Sequence, residues 1–328
     1  MSLEKTQFNR RGLFVGAGVA LAMPFVLRGV SGPARAAAPM LGASRGQHYR
    51  FALGAFEVTT VFDGARGIEE VYKIFGADQS PEDVQALAEE RLLPPAKAVN
   101  MFTPVVVNTG QQLIVFDTGN GAGGRPDLGR FAAGLAEAGI SPGDVDLVVL
   151  THYHPDHIGG LMEEGAPVFP NATYAANETE HAFWTAPERM SGPTERVAKI
   201  VEANVKPLTE KMAMLKDGDE VAPGIRALLT PGHTLGHTSF HVESDGKRLL
   251  IGGDFCNHYV LSLERPEWHV SFDMDKDMAG ETRKKTLDML ATDKVMFTSY
   301  HMPNPAVGMV EKNGTGYRYV PATYQPFI

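Results

Sequence analysis

The chain has 328 residues, of which 43% are hydrophobic, and this suffices for one large α/β domain. Its formal net charge of −9 becomes −13 without residues 1–38 (25 basic against 38 acidic side chains), which argues against a nucleic-acid partner. The single cysteine, Cys256, excludes an intramolecular disulfide and a zinc site built from several cysteines, so any metal must be held by histidine and carboxylate.

Residues 1–38 have the pattern of an export signal. Arg10 and Arg11 precede an apolar run of 16 residues, 12–27, and small residues suited to cleavage follow at 34–38. An arginine pair at this place is typical of the twin-arginine route. Because the run is shorter than the roughly 20 apolar residues of a bilayer span, we predict a periplasmic or secreted protein without a stable membrane anchor. Residues 39–328 are predicted to form a single domain.

Hydrophobic periodicity and turn residues predict a mixed order of strands and helices. In the first half, strands are predicted at 49–62, 105–109, 113–117 and 145–150, and helices at 81–92, capped by Ser80, and at 127–138. In the second half, helices are predicted at 178–185, 194–205 and 279–291, and strands at 225–230, 239–243, 248–252 and 295–299. The glycine-rich loop 120–126 is too short for a domain linker and is predicted to form a rim of the active site.

The strongest chemical signal directly follows the predicted buried strand 145–150. Four residues of metal-ligating type lie close together there: His152, His154, Asp156 and His157. On an extended strand end, His152 and His154 point to the same side, and a turn into a helix brings Asp156 and His157 to a second position nearby. This loop alone could therefore supply ligands to two metals.

Three later residues of the same type also follow predicted strands: His233, Asp254 and His301. Loops at one edge of an α/β sheet converge, while the strands hold them rigid. We therefore expect these three side chains to lie near the loop after strand 145–150.

The sequence His-x-His-x-Asp-His, followed by a separate His, Asp and His, resembles the metallo-β-lactamase superfamily. The resemblance implies an α/β fold of four layers, the αββα sandwich. It also implies one metal held by His152, His154 and His233, a second held by Asp156, His157 and His301, and Asp254 bridging the two. Asp117 matches an early aspartate motif of that superfamily, which supports ligands rather than binding metal itself. Zinc is the expected metal, with manganese, cobalt and iron as alternatives that the same donors accept.

Within that superfamily the chain is similar to the methyl parathion hydrolase group, whose members are exported dinuclear enzymes that cleave phosphotriesters. Relatives of that group cleave aryl esters and lactones. The similarity lies in residues 156–162, 169–172, 183–184, 232–238 and 317–321. It implies that Trp184, with Phe183, lines the substrate pocket. The loop 120–126 departs from the pattern, because it has no bulky aromatic residue.

The expected mechanism follows from two metals that share a water. They would lower its pKa and present a bridging hydroxide to a lactone, an aryl ester or a phosphotriester. Asp254, and after it Asp156, is predicted to relay the proton to the leaving group. His237 is predicted either to support a metal ligand or to cap the following strand.

Two other functions compete with hydrolysis. The same ligands with iron could serve a persulfide dioxygenase, but the complete set of ligands favours hydrolysis, because oxygenases of the superfamily usually need one metal. A non-catalytic metal-binding protein is disfavoured by the glycine-rich rim, which leaves room for a substrate. The predicted partner is a small molecule, and the sequence leaves a homodimer open.

Overall fold

Two seven-stranded sheets form the centre of the computed structural model, which describes residues 46–323. The strands are β1 (His48–Leu53), β2 (Phe56–Val61), β3 (Gly64–Ile68), β4 (Ala98–Phe102), β5 (Val105–Asn108), β6 (Leu113–Phe116), β7 (Leu147–Val149), β8 (Met162–Glu163), β9 (Ala166–Pro167), β10 (Thr173–Asn177), β11 (Met212–Leu215), β12 (Glu220–Ala222), β13 (Ile225–Leu229), β14 (Thr238–Ser244), β15 (Lys247–Ile251), β16 (Met296–Thr298), β17 (Val307–Asn313) and β18 (Gly316–Pro321). The α-helices are α1 (Pro81–Glu90), α2 (Phe131–Glu137), α3 (Pro155–Ile158), α4 (Glu178–Thr185), α5 (Glu195–Asn204), α6 (Leu261–Glu264) and α7 (Lys276–Asp293).

The first sheet has the strand order β1-β2-β5-β6-β7-β10-β11, and the second runs from β12 to β18 in sequence order. The central strands of the first sheet, β6, β7 and β10, are parallel. Most of the second sheet is antiparallel, and β15 and β16 form its parallel pair. The antiparallel pair β3–β4, whose connection contains α1, and the short hairpin β8–β9 form separate two-stranded sheets.

Three apolar layers separate four layers of secondary structure. Side chains on alternating strand positions, such as Phe116 and Phe240, fill the space between the two sheets. The opposite face of the first sheet packs on α2, α4 and α5, with Leu135 and Val201 among the contacts. The opposite face of the second sheet packs on α7 through Leu287. The predicted four-layer αββα sandwich is therefore confirmed.

Several helices begin where their capping residues lie. The side chain of Ser80 accepts a hydrogen bond from the backbone N–H of Asp83, and Pro81 occupies the first turn of α1. Asn177 caps α4 in the same way, through the backbone N–H groups of Thr179 and Glu180. These local contacts explain why both helices begin where the sequence predicts.

Two predicted elements differ most from those in the structure. The single strand predicted at 49–62 is a hairpin, β1–β2, which turns at Gly54 in a left-handed conformation with φ +61°. The helix predicted at 127–138 begins only at Phe131, because the buried Asp63 carboxylate accepts the backbone N–H groups of Gly129 and Phe131 and holds the preceding residues as a loop. A tertiary contact thus replaces the first helical turn.

Some predictions fall on residues that the structure does not describe. The export signal at 1–38 lies outside the described residues. Between residues 46 and 323, no helix has the length and apolar character needed to cross a membrane.

Candidate metal centre

The candidate ligands lie at strand ends of both sheets. His152 and His154 follow β7 of the first sheet, and α3 carries Asp156 and His157. The other three candidates follow strands of the second sheet: His233 follows β13, Asp254 follows β15 and His301 follows β16. Because β13, β15 and β16 run in the same direction, their carboxyl ends meet at one edge. All seven candidates meet there, in overlapping groups whose ligand atoms lie within 4.8 Å of one another.

The first group consists of His152, His154 and His233. The Nδ1 atom of His154 lies 2.9 Å from the Nε2 atom of His233. The rings of His152 and His154 are 4.7 Å apart, centroid to centroid, and those of His152 and His233 are 4.8 Å apart. The three side chains therefore converge on one point and can hold one metal ion.

The second group consists of Asp156, His157 and His301. The Oδ2 atom of Asp156 lies 3.5 Å from the Nε2 atom of His157 and 3.6 Å from that of His301. Two ring nitrogens and one carboxylate thus surround a second point beside the first.

Asp254 lies between the two groups. Its Oδ2 atom is 3.3 Å from the Nε2 atom of His233 and 3.0 Å from that of His301. Its Oδ1 atom is 3.3 Å from the Nε2 atom of His157. One carboxylate therefore reaches ligands of both groups, which is the position of a bridging ligand.

Unpartnered atoms test whether this cluster fits a metal. The Nε2 atoms of His152 and His157 and the Oδ1 atom of Asp254 are buried and have no hydrogen-bond partner among the described residues. Leaving such atoms without a partner is costly, and a cation would satisfy their lone pairs. Histidine and carboxylate are donors that zinc and related divalent metals accept. The residues present therefore fit the expected metals.

The electrostatics of the cluster agree with this interpretation. Burial lowers the pKa of His154 to about 3, and the neighbouring His233 contributes, so the ring is neutral and able to bind a metal. Burial opposes charge on Asp156, yet His157 holds the pKa of this carboxyl at about 2. Burial also opposes charge on His157, but Asp254 and then Asp117 hold its pKa well above the usual value. The carboxylates thus favour positive charge at their centre, which a metal ion would supply.

Asp117 orients two of the ligands. Its Oδ2 atom accepts a hydrogen bond from the Nδ1 atom of His157 at 2.8 Å and from the hydroxyl of Thr151 at 2.8 Å. Because that hydroxyl donates to Asp117, it accepts from the Nδ1 atom of His152, 3.0 Å away. Both imidazoles therefore carry their proton on Nδ1 and direct the Nε2 lone pair into the cluster.

The remaining two Nε2 ligands are oriented in a similar way. The Nδ1 atom of His301 donates to the main-chain carbonyl of Met101 in β4 at 2.6 Å, and the Nδ1 atom of His233 donates to Asp273 at 2.8 Å. Sequence reasoning missed Asp273, because it lies in the irregular segment before α7 and no short-range spacing marks it. Only its place two residues before the Asp275 cap of α7 sets it apart.

The structure places His237 behind the cluster rather than in it. Its Nε2 atom accepts the backbone N–H of Asp254 at 2.8 Å, and its Nδ1 atom donates to the carbonyl of Thr230 at 3.0 Å. Both ring nitrogens are therefore in use, so this side chain holds the main chain of the bridging residue. The side chain of Asn257 donates to Asp254 Oδ2 from the other side, at 3.0 Å.

The two aromatic residues predicted to line the pocket, Phe183 and Trp184, lie on α4. Trp184 is 4% exposed, packs in the core between the first sheet and its helices, and donates from Nε1 to Glu180. Its ring lies 6.3 Å from that of His154, centroid to centroid, so Trp184 packs beside this candidate metal ligand. Phe183 stacks under the guanidinium of Arg189 at 4.0 Å.

A cavity of about 460 Å³ opens beside the cluster, between the β3–β4 pair, α1 and residues 257–261. His301 and Asn257 form part of its wall, whereas Phe183 and Trp184 do not. Exposed Lys97 and Glu69 also line it and form an ion pair of 2.6 Å. The apolar residues of the wall include Ile68, Val71, Phe75, Leu93, Ala98 and Leu261. The cavity has room for an apolar group of a molecule that binds with its reacting atoms near His301.

The comparison with protein families covers most of the candidate ligands. The sequence model of the Metallo-beta-lactamase superfamily matches residues 103–294, which is more than half of the chain. The chain belongs to this superfamily. The match includes six of the seven candidate ligands, and only His301 lies beyond it. The predicted family is therefore confirmed, whereas the finer similarity to the methyl parathion hydrolase group stays a prediction.

Several metallo-beta-lactamase relatives are similar over part or most of their length. The probable metallo-hydrolase YybB of Bacillus subtilis is 28% identical over 177 residues, 52% of this chain and 70% of its own. An N-acyl homoserine lactonase of Bacillus cereus is 29% identical over 169 residues, 51% of this chain and 61% of its own. The solved structure of AidC, a dizinc quorum-quenching lactonase, superposes with a TM-score of 0.77 and 26% identity, over 84% of this chain and 97% of AidC.

Proposed function

We propose that this chain is a dinuclear metal-dependent hydrolase that cleaves small lactones and esters carrying an apolar chain. The observation that carries the proposal is the position of Asp254, whose two carboxylate oxygens lie 3.0–3.3 Å from ligand nitrogens of both groups. When bound, two divalent ions lower the pKa of a water between them and polarise the oxygen of a substrate carbonyl. Hydrolysis then needs no separate protein base.

The residues of the chain supply the ligand geometry and the path of the proton. The Asp254 side chain is 4% exposed and lies between the two groups, so its oxygens face the ligands rather than solvent. The Asp156 side chain is 22% exposed and is therefore the more accessible of the two carboxylates. We therefore place Asp156 ahead of Asp254 as the group that passes a proton to the leaving oxygen, which reverses the order suggested by the sequence.

The cavity supports the choice of substrate class. A volume of about 460 Å³ falls within the range of small-molecule sites, roughly 300–1,000 Å³. Its wall is mainly apolar and starts at His301, so a chain attached to the reacting carbonyl would extend into it. The names of relatives that cleave N-acyl homoserine lactones support a lactone among the substrates.

Metal content and a substrate panel test the chemistry. We expect about two metals per purified chain by elemental analysis, and turnover of aryl esters or acyl lactones that is lost in Asp254→Ala. A phosphotriester in the same panel tests the finer resemblance. Iron at one equivalent, with oxygen consumption on a glutathione persulfide and no hydrolysis, would overturn the proposal in favour of the dioxygenase.

Filling the cavity tests the substrate class. Ala98 lies in β4, is partly buried and lines the cavity, so Ala98→Phe places a ring inside it. We expect kcat/KM to fall at least tenfold for a substrate with a long apolar chain, about 1.4 kcal/mol, and to change little for an acetate ester. Ala52→Phe, at an exposed position of β1, is the matched control. An equal loss on both substrates would contradict the assignment of the cavity.

A further inference from the structure

A buried chain of three side chains leads away from the candidate metal centre. His233 donates from Nδ1 to Asp273 Oδ1 at 2.8 Å, and Arg283 donates from Nη2 to Asp273 Oδ2 at 2.9 Å. The side chains of these three residues are 2%, 0% and 1% exposed. Water therefore does not compete for these bonds, which strengthens them.

Arg283 is held as firmly as the carboxylate that it contacts. Its Nη1 atom donates to the main-chain carbonyls of Pro266 at 2.7 Å and Trp268 at 3.2 Å, and its Nε atom donates to that of Phe255 at 3.3 Å. These carbonyls belong to the segment that follows Asp254. Because the guanidinium is planar and rigid, it fixes the Asp273 carboxylate relative to that segment.

We propose that Asp273 and Arg283 are positioning residues that fix the tautomer and orientation of His233. They thereby set the metal affinity of the group His152, His154 and His233. The proposal rests on the dinuclear centre proposed above. When Asp273 accepts a hydrogen bond from the Nδ1–H group of His233, the ring has its lone pair on Nε2. That lone pair points toward His154 Nδ1, 2.9 Å away, and Asp254 Oδ2, 3.3 Å away. Without this acceptor, the ring can carry its proton on Nε2, and that tautomer cannot bind a metal.

The effect is selective, because the second group is oriented by other residues. His157 depends on Asp117, and His301 depends on the main-chain carbonyl of Met101. Neither contact involves Asp273. A loss at Asp273 should therefore weaken one of the two metal sites and spare the other, which distinguishes positioning of His233 from a general loss of structure.

The test is a stepwise Co²⁺ titration of the metal-free chain, followed by absorption spectroscopy and by competition with a chromophoric chelator. In Asp273→Asn, one amide oxygen cannot serve both His233 and Arg283. We expect one equivalent to bind with unchanged affinity and the other about 10- to 100-fold more weakly. Asp275→Asn is the control, since asparagine also caps a helix and Asp275 caps α7 two residues away. Equal weakening of both equivalents, or no weakening, overturns the proposal.

A measurement on the unmodified chain covers the case in which the variant does not fold. Histidine ring NMR of the zinc-loaded protein should show His233 protonated at Nδ1, with a proton that exchanges slowly with water. Protonation of His233 at Nε2, or a rapidly exchanging Nδ1 proton, overturns the assignment. If the unmodified chain binds two metals but hydrolyses no ester or lactone, the proposed function fails while these two tests still decide the role of Asp273.

Discussion

Replacing Asp117 by asparagine should weaken metal binding without unfolding the protein. The buried carboxylate accepts three hydrogen bonds: Thr151 N at 2.9 Å, Thr151 Oγ1 at 2.8 Å and His157 Nδ1 at 2.8 Å. Asparagine keeps one acceptor oxygen and presents an NH₂ group to the remaining donors. At least one donor therefore loses its partner.

The magnitude follows from these contacts. Hydrogen bonds to a charged group contribute about 1.5–3 kcal/mol each, and loss of a carboxylate that orients a metal-binding histidine typically lowers metal affinity about 10- to 100-fold. Because Thr151 links Asp117 to His152 as well as to His157, we expect both metals to bind more weakly. This differs from the selective effect predicted for Asp273→Asn.

The assay is the same chelator competition, with the free energy of unfolding of the metal-free protein measured in denaturant. Asp146→Asn is the matched control, because Asp146 is exposed and accepts the backbone N–H of Leu113 at 2.7 Å between the same two strands. We expect that variant to change unfolding by less than about 0.5 kcal/mol and metal affinity not at all. Metal affinity of Asp117→Asn equal to that of the unmodified chain would refute the reasoning.

Three further predictions concern stability. Burial lowers the pKa of His258 to about 4 in the folded protein. As the pH falls, the unfolded state therefore binds the proton first. The free energy of unfolding then drops between pH 6.5 and 4 by up to about 3 kcal/mol. His258→Asn should flatten that drop in denaturant titrations across this range, and an unchanged slope would contradict the assignment. Gly160→Ala should lower the free energy of unfolding by about 1–3 kcal/mol, because the added Cβ would lie 2.0 Å from the carbonyl oxygen of Thr118. The control is Gly123→Ala, whose Cβ meets nothing within 4 Å and which should be neutral in the same titration. Chelation of the metals should lower the midpoint of thermal unfolding, since the metals bind the folded state, and calorimetry showing no shift would count against the metal centre.

The sequence predicts the ligand cluster well because the relevant signals are local. The spacing of His152, His154, Asp156 and His157 is short, and the three later candidates each follow an apolar strand that periodicity reveals. The structure brings all seven together at one edge. The four-layer sandwich depends on the same strands, and on helices such as α1 and α4 whose caps are visible in the sequence.

The features that sequence reasoning missed depend on tertiary contacts. Asp273 and Asp63 each accept several hydrogen bonds from residues distant in sequence, and no spacing marks either residue. The strands β3 and β4 have the sequences GARGI and AVNMF, which lack the alternation that indicates a strand. Because this pair of strands was not predicted, neither was the cavity that it lines.

Under the proposed function, the antiparallel pair β3–β4 separates reactivity from selectivity. It forms one wall of the cavity, yet within the described residues it pairs with neither large sheet. Its bond to His301 is made by the main-chain carbonyl of Met101, a group that every amino acid possesses. Side chains along these two strands can therefore be exchanged, in nature or in a library, to reshape the cavity while the ligand edge stays in place.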